Sequence, residues 1–230
     1  NEPPSEPFAT FVDWCLNRTS LTPEALHTVE VLLEKAGTQN CHRAEVTLSH
    51  LSSLDIFDRG IQDIAPLASL TELTELSLWG NEIVDVTPLS ELTNLTGLVL
   101  GANRIVDVSP LASLPYLNKL HLYENYIVDV APLASLTELS ELALGNNQIV
   151  DIDPLASLTN LTWLSLDNNQ ISTVAPLANL PHLSELYLTD NQIVDVTPLG
   201  PLTTLEVLSL VGNPLSDRTC PVQPETICRF

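Results

Sequence analysis

The sequence predicts an α/β solenoid, a curved rod with a parallel β-sheet on its concave side and short 3₁₀ turns on its convex side. Two periodic features predict it, and a helical cap is expected at the N-terminus. Leucines alternate with other residues in short segments such as Leu76-Ser77-Leu78, which is the periodicity of a β-strand. Prolines follow at a constant spacing of 22 residues. They are Pro66, Pro88, Pro110, Pro132, Pro154, Pro176 and Pro198.

The repeated unit extends beyond these two features. The unit that begins at Leu73 contains Asn81 after its strand and an isoleucine, a valine and a proline further along, and the next unit repeats this order. One such coil cannot bury its apolar face alone, so neighbouring coils must stack on one another. Eight units begin at Leu51, Leu73, Leu95, Leu117, Leu139, Leu161, Leu183 and Leu205, and the last one is cut short.

These units match the pattern L-x-x-L-x-L-x-x-N-x-L and resemble the leucine-rich repeat. Their I-x-D-V-x-P-L ending resembles the internalin-like class of bacterial repeats. The resemblance covers Leu51 to Leu215 and implies a surface protein that binds receptors or other proteins. We expect the repeat domain to span residues 51–214, between an N-terminal cap (1–50) and a C-terminal cap (215–230).

The first 50 residues predict a helical cap over the open end of the rod. Thr22-Pro23-Glu24 is typical of a helix start, with a capping hydroxyl, a proline at the first helical position and an acid in the first turn. We expect this helix to end at about Lys35, with Gly37 as its stop. An earlier helix is expected to hold Phe11, Trp14 and Leu16.

The four cysteines lie in the two caps and leave the repeats free of cysteine. Because opposite ends of a rod cannot touch, we predict the pairs Cys15–Cys41 and Cys220–Cys228; free thiols or a metal site are the alternatives. No C-x-x-C spacing favours zinc. Disulfide bonds indicate an oxidising compartment, and the absence of Met suggests a processed chain. We therefore expect a bacterial protein that is secreted, periplasmic or displayed on the cell surface.

The sequence indicates no catalytic site and no cofactor. G-x-S-x-G, G-x-G-x-x-G, P-loop and H-E-x-x-H motifs are all missing. Ser165, His121 and Asp167 contain the residue types of a hydrolase triad, but two coils separate the serine from the histidine by about 10 Å. We therefore predict that the chain is not an enzyme.

Two polar columns run along the repeats. The asparagines are expected to bond the backbone of adjacent turns; they are Asn81, Asn103, Asn125, Asn147, Asn169, Asn191 and Asn213. Arg59 stands in their place in the first coil. The aspartates are expected to accept backbone amides before each proline, with a calcium site as the alternative. They are Asp63, Asp85, Asp107, Asp129, Asp151 and Asp195, and Thr173 interrupts them.

Function is expected on the concave face, where alternate strand residues point away from the core. The three outward columns hold five of the eleven aromatic residues, and exposed aromatics favour binding. We predict two patches, one around Phe57, Trp79 and Tyr123 with a shallow gap at Gly101, and one at Trp163 and Tyr187. The candidate partner-binding residues are Phe57, Trp79, Lys119, His121, Tyr123, Tyr126, Trp163 and Tyr187.

The net charge of −21 disfavours nucleic acid and anionic lipid as partners. No apolar run reaches the length of a membrane span, so we expect no membrane insertion. From residue 60 through 217, two basic residues stand against nineteen acids. The chain is therefore interpreted as a monomeric recognition module for a protein or peptide. The alternatives are an acidic inhibitor of a basic enzyme and a structural repeat domain of an envelope protein.

Overall fold

Every coil contributes one short strand to a single parallel sheet. In this computed structural model, which describes residues 8–230, nine strands follow one another in chain order. Strands of adjacent repeats pair at a separation of 22 residues, as Leu76 does with Leu98. The strands are β1 (Ser53–Asp55), β2 (Glu75–Ser77), β3 (Gly97–Val99), β4 (Lys119–His121), β5 (Glu141–Ala143), β6 (Trp163–Ser165), β7 (Glu185–Tyr187), β8 (Val207–Ser209) and β9 (Cys228–Arg229). The predicted solenoid with a parallel sheet is confirmed.

Each repeated proline lies in the first turn of a short 3₁₀ helix, as predicted. Proline suits this position because its fixed φ matches the turn and its missing N–H would have no partner there. Asp85 prepares the turn, since its Oδ1 accepts the backbone N–H of Thr87 at 2.8 Å. The turns span Ala65–Leu67, Thr87–Glu91, Ser109–Ser113, Ala131–Ser135, Asp153–Ser157, Ala175–Asn179 and Thr197–Leu199.

The asparagine column joins each coil to the one before it. Asn103 donates from Nδ2 to the carbonyls of Leu78 and Leu100, both at 3.0 Å, and its Oδ1 accepts the N–H of Ile83 at 3.0 Å. In the first coil, where Arg59 replaces the asparagine, the backbone N–H of Arg59 donates to Oδ1 of Asn81. These bonds satisfy backbone groups inside a core of buried leucine, isoleucine and valine.

The N-terminal cap contains three helices: α1 (Phe11–Leu16), α2 (Pro23–Lys35) and α3 (Cys41–Leu48). The first seven residues of the predicted cap lie outside the described residues. The helix predicted after Thr22 is confirmed: the Thr22 side chain accepts the N–H of Ala25, and Gly37 has a φ of +65° past its end. Helix α3 was missing from the prediction.

Polar contacts hold the cap on the first coil, and a disulfide bond joins two helices within the cap. Buried Thr28 donates to the carbonyl of Asp63 at 2.6 Å, and a ring nitrogen of His27 bonds the carbonyl of Arg59 at 2.7 Å. Arg59 also forms an ion pair with Glu34 of α2. The predicted Cys15–Cys41 bond is present and joins α1 to α3.

The C-terminal tail closes the other end by adding strand β9. Leu210 donates its N–H to the carbonyl of Arg229 at 2.7 Å, and β9 pairs with the edge of β8. The predicted Cys220–Cys228 bond is present and joins this strand to the preceding part of the tail. The ninth strand was not predicted, because the tail has no repeat pattern.

None of the helices within residues 8–230 has both the length and the apolar character to cross a membrane.

Candidate binding surface on the concave sheet

The concave surface is formed by alternate residues of the strands. In β4, Leu120 is fully buried, while Lys119 and His121 on either side of it are half-buried and face outward. This alternation follows from the two-residue period of a strand. The predicted division into inward leucines and outward polar or aromatic residues therefore holds at this strand.

A charged cluster lies at the centre of this surface. The ring Nε2 of His121 bonds Oε1 of Glu141 at 2.6 Å, and Nζ of Lys119 is 3.1 Å from the same oxygen. Lys119 and Glu141 meet because they are register partners in β4 and β5. The carboxylate is thus neutralised within the surface, and it holds the imidazole in one orientation.

Burial shifts the titration of this cluster. It lowers the pKa of the His121 imidazole below its ordinary value of 6.5; the hydrogen bond to Glu141 opposes this effect, and the Lys119 ammonium adds to it. Burial raises the pKa of the Glu141 carboxyl, but the bonds from Lys119 and His121 outweigh this and leave the pKa lowered. At neutral pH the imidazole is therefore uncharged and the carboxylate ionised.

We expect the stability of the fold to decrease as the pH falls below about 6.5. In that range the unfolded chain takes up a proton at His121, whereas the folded chain, with its lowered pKa, does not. The Glu141 contribution is lost only at lower pH, below the ordinary carboxyl value of 4.5. Urea unfolding between pH 7 and pH 5 should show a shallower pH dependence in His121→Gln than in the native chain, and an NMR titration should place the His121 midpoint below 6.5. Equal pH dependence in both proteins would contradict this assignment.

Aromatic rings continue from this cluster in an unbroken row. The centroid of His121 lies 6.1 Å from that of Tyr123 and 6.2 Å from that of Trp163, and Trp163 lies 5.6 Å from Tyr187. The prediction of two separate patches is wrong here, because the His121 ring bridges them. Side chains of β4, β6 and β7, together with Tyr123 just after β4, thereby form one surface, the aromatic row (His121, Tyr123, Trp163 and Tyr187).

The shallow gap predicted at Gly101 is also wrong, because the ring of Tyr123 covers this glycine. A Cβ atom on Gly101 would lie 2.6 Å from Cζ of the ring, so any side chain at this position would require the tyrosine ring to shift. The glycine therefore permits the tyrosine to lie flat over the preceding coil. The absence of a side chain at Gly101 thus makes room for the ring of Tyr123.

Two further polar pairs lie on this surface. The Tyr187 hydroxyl donates to Glu185 at 2.6 Å, and this bond, with burial, raises the pKa of the phenol. Ser165 donates to Asp167 at 2.9 Å, whereas His121 is bonded to Glu141. Serine and histidine are thus engaged by different carboxylates.

Besides Lys119 of the charged cluster, three predicted binding residues lie outside the aromatic row. Phe57 and Trp79 are 55% and 39% exposed and lie closer to the N-terminal end of the sheet. Tyr126 is 52% exposed and follows the turn at Asn125, where its N–H bonds the carbonyl of Ile105. The structure thus places Tyr126 on the flank of the solenoid.

Among residues 8–230 no group of three or more His, Cys, Asp or Glu side chains could hold a metal ion.

Comparisons with known proteins agree with this architecture. The family model for leucine-rich repeats (two copies) matches residues 71–113, 115–157 and 159–201. The crystal structure of internalin C2 from Listeria monocytogenes is 36% identical, with a TM-score of 0.80, and the match covers 87% of this chain and 89% of that one. The chain is an internalin-like leucine-rich repeat protein.

Two further structures extend the comparison of this internalin-like protein. A second Listeria monocytogenes internalin (inlF) is 29% identical with a TM-score of 0.53, covering 83% of this chain and 70% of that one. The ectodomain of the Arabidopsis thaliana receptor kinase GASSHO1/SCHENGEN3, in complex with CASPARIAN STRIP INTEGRITY FACTOR 2, is 28% identical with a TM-score of 0.62, covering 74% and 22% respectively. No curated protein sequence matches significantly. Leucine-rich repeat domains commonly act in protein–protein interaction and are generally non-catalytic.

Proposed function

We propose that this internalin-like protein is a non-catalytic recognition module that binds a protein or peptide on its concave sheet. The observation that carries the proposal is the aromatic row, which continues across four coils on the face that the solenoid leaves open. Aromatic side chains bury a large area at a low cost in conformational entropy, so they concentrate at binding sites. The rings also lie away from the aliphatic core and are not needed to fill it.

The row is held rigidly before any partner arrives. Tyr187 is bonded to Glu185, His121 to Glu141, and Tyr123 rests on the backbone of Gly101. The strands beneath are fixed by backbone pairing on both sides. Such a surface loses little conformational freedom on binding, which favours affinity. An open sheet of this length suits an extended or folded polypeptide better than a small molecule.

The proposed site of action is outside the cytoplasm. Two disulfide bonds close the two ends of the solenoid, and such bonds persist in oxidising compartments. The similarity to Listeria internalins supports the same location. A secreted, periplasmic or surface-displayed bacterial protein fits both observations.

We expect the double variant Tyr123→Ala, Trp163→Ala to lose partner binding by at least about a hundredfold, because central aromatic residues dominate interface energies. Proteins from the secreted fraction of the source organism would be captured on the native chain and on two variants. Tyr116→Ala is the matched control, since Tyr116 is 61% exposed and lies outside the strands. A partner should be retained by the native chain and by the control and lost by the double variant, and its affinity should then be measured by calorimetry. Equal retention by the double variant would place binding elsewhere or favour a structural role for the repeats.

An acidic regulator of a basic enzyme is the second candidate function. It is favoured by the charges, because both basic residues between positions 60 and 217 are already paired: Arg104 with Glu82 at 3.2 Å and Lys119 with Glu141 at 3.1 Å. The other acids are left to attract a basic partner. The same purified partner distinguishes the two candidates, since electrostatic attraction would make its association rate fall steeply with salt, whereas aromatic contacts would not.

A further inference from the structure

A column of exposed valines runs along one flank of the solenoid, away from the concave sheet. Four consecutive coils place a valine at the same position, and these side chains are 50–56% exposed. In each of these coils the valine is followed by an aspartate, and the residues on either side of this Val-Asp pair, such as Ile105 and Val108, are buried. We name this surface the valine flank: Val84, Val106, Val128 and Val150.

The fold does not require valine at this position. The equivalent residues of two other coils are Gln62 and Ser172, and both coils have the same strand and 3₁₀ turn as the rest. Exposed valine therefore contributes little to the solenoid itself. Its occurrence in four adjacent coils forms a continuous apolar stripe, which on a monomeric protein often marks an interaction site.

Backbone bonds keep the stripe straight and evenly spaced. The N–H groups of Arg104, Tyr126 and Gln148 each bond the carbonyl of the isoleucine in the preceding coil, all at 2.9 Å. Adjacent valines therefore follow one another at about 4.8 Å, the spacing of paired strands. The exposed ring of Tyr126 lies on the same flank, two residues before Val128, with buried Ile127 between them.

A row of carboxylates runs directly beside the valines. Each valine is followed by an exposed aspartate, whose Oδ1 accepts a backbone amide: Asp85, Asp107, Asp129 and Asp151. An occupant of the stripe must therefore bring positive charge to this side. A second copy of the chain, with its net charge of −21, would repel the first.

The spacing of the valines selects the shape of the occupant. A helix advances about 5.4 Å per turn, so side chains one turn apart would fall out of step with the valines by only roughly 2 Å over four coils. In an extended strand, residues on the same face are about 6.7 Å apart, so they would fall out of step with the valines by roughly 6 Å over the same four coils. We propose that the valine flank binds an amphipathic helix of a partner protein, with aliphatic residues one turn apart and lysine or arginine along one side.

The test uses designed peptides of about 18 residues, long enough for the four coils. The first has leucine at successive turns and lysine beside it; the second has glutamate in place of lysine; the third has the composition of the first but no apolar face. Fluorescence anisotropy at low salt measures binding to the native chain. We expect the lysine peptide to bind at least about tenfold more tightly than either of the others.

The double variant Val106→Ser, Val128→Ser should weaken binding of the lysine peptide by at least about tenfold. Serine is tolerated by the fold, since Ser172 occupies the same position. Val46→Ser is the matched control, because Val46 is 63% exposed in α3, and this variant should bind as the native chain does. Unchanged binding in the double variant, equal binding of the glutamate peptide, or no binding of the lysine peptide at about 1 mM would each overturn the proposal.

Discussion

Replacing Asn125 by alanine is expected to destabilise the protein by about 3–5 kcal/mol, because the substitution removes three buried hydrogen bonds at once. The Nδ2 of Asn125 donates to the carbonyls of Leu100 and Leu122, both at 3.0 Å, and its Oδ1 accepts the N–H of Ile105 at 2.9 Å. Alanine leaves the N–H of Ile105 buried without a partner, and it leaves the carbonyls of Leu100 and Leu122 with one side-chain bond each, from the neighbouring asparagines of the column. Bulk water reaches this position poorly, because Asn125 is only 6% exposed.

The loss should be measured as the free energy of unfolding in urea. Gln148→Ala serves as the control, since Gln148 is exposed and lies in the next coil. We expect that variant to remain within about 0.5 kcal/mol of the native chain. If Asn125→Ala destabilised the protein no more than the control does, the asparagine column would have no structural role.

The double variant Cys15→Ala, Cys41→Ala is expected to lose about 3.5 kcal/mol of stability. The bond closes a loop across 26 residues, so its removal restores considerable freedom to the unfolded chain. The same bond holds α1 against α3, where Phe11 and Leu48 are fully buried. Undocking of α1 would also expose the apolar end of the first coil.

The tail bond provides the comparison for this effect. Cys220–Cys228 closes a loop across only eight residues, and its double alanine variant should lose about 2.5 kcal/mol. Urea unfolding gives both values, and hydrogen exchange should show faster opening of α1 amides in the first variant alone. An equal or smaller loss in the N-terminal variant would contradict the expected dependence on loop length.

The regular part of the fold was predictable because one short pattern recurs with a strict period. Each part of the pattern has one physical purpose: the proline starts a turn, the Leu-x-Leu segment forms a strand and the buried asparagine bonds the backbone. Eight repetitions of the pattern leave no ambiguity about the fold. The cap helix after Thr22 was predictable for a different reason, because local residues at its two ends determine where it starts and stops. Helix α3 and strand β9 were missed because each depends on docking: α3 packs against α1, and β9 pairs with an edge that only the folded sheet provides.

The candidate site was predictable only in part. Outward-facing aromatics follow from strand alternation, but the contact between His121 and Trp163 joins side chains 42 positions apart in β4 and β6. Whether two rings in different coils meet depends on side-chain direction, which the pattern does not contain. The contact of the Tyr123 ring with Gly101 is of the same kind, and it fills the gap that the sequence predicted at this glycine.

The sequence by itself determined the solenoid, its direction of stacking, the asparagine and aspartate columns and the cysteine pairs, because these depend on local periodicity and on which end of a rod a residue occupies. The tertiary structure alone decided how the concave rings join into one row, where Tyr126 lies and how the tail closes the sheet. These features arise from contacts between coils, and close packing of side chains with different shapes determines them.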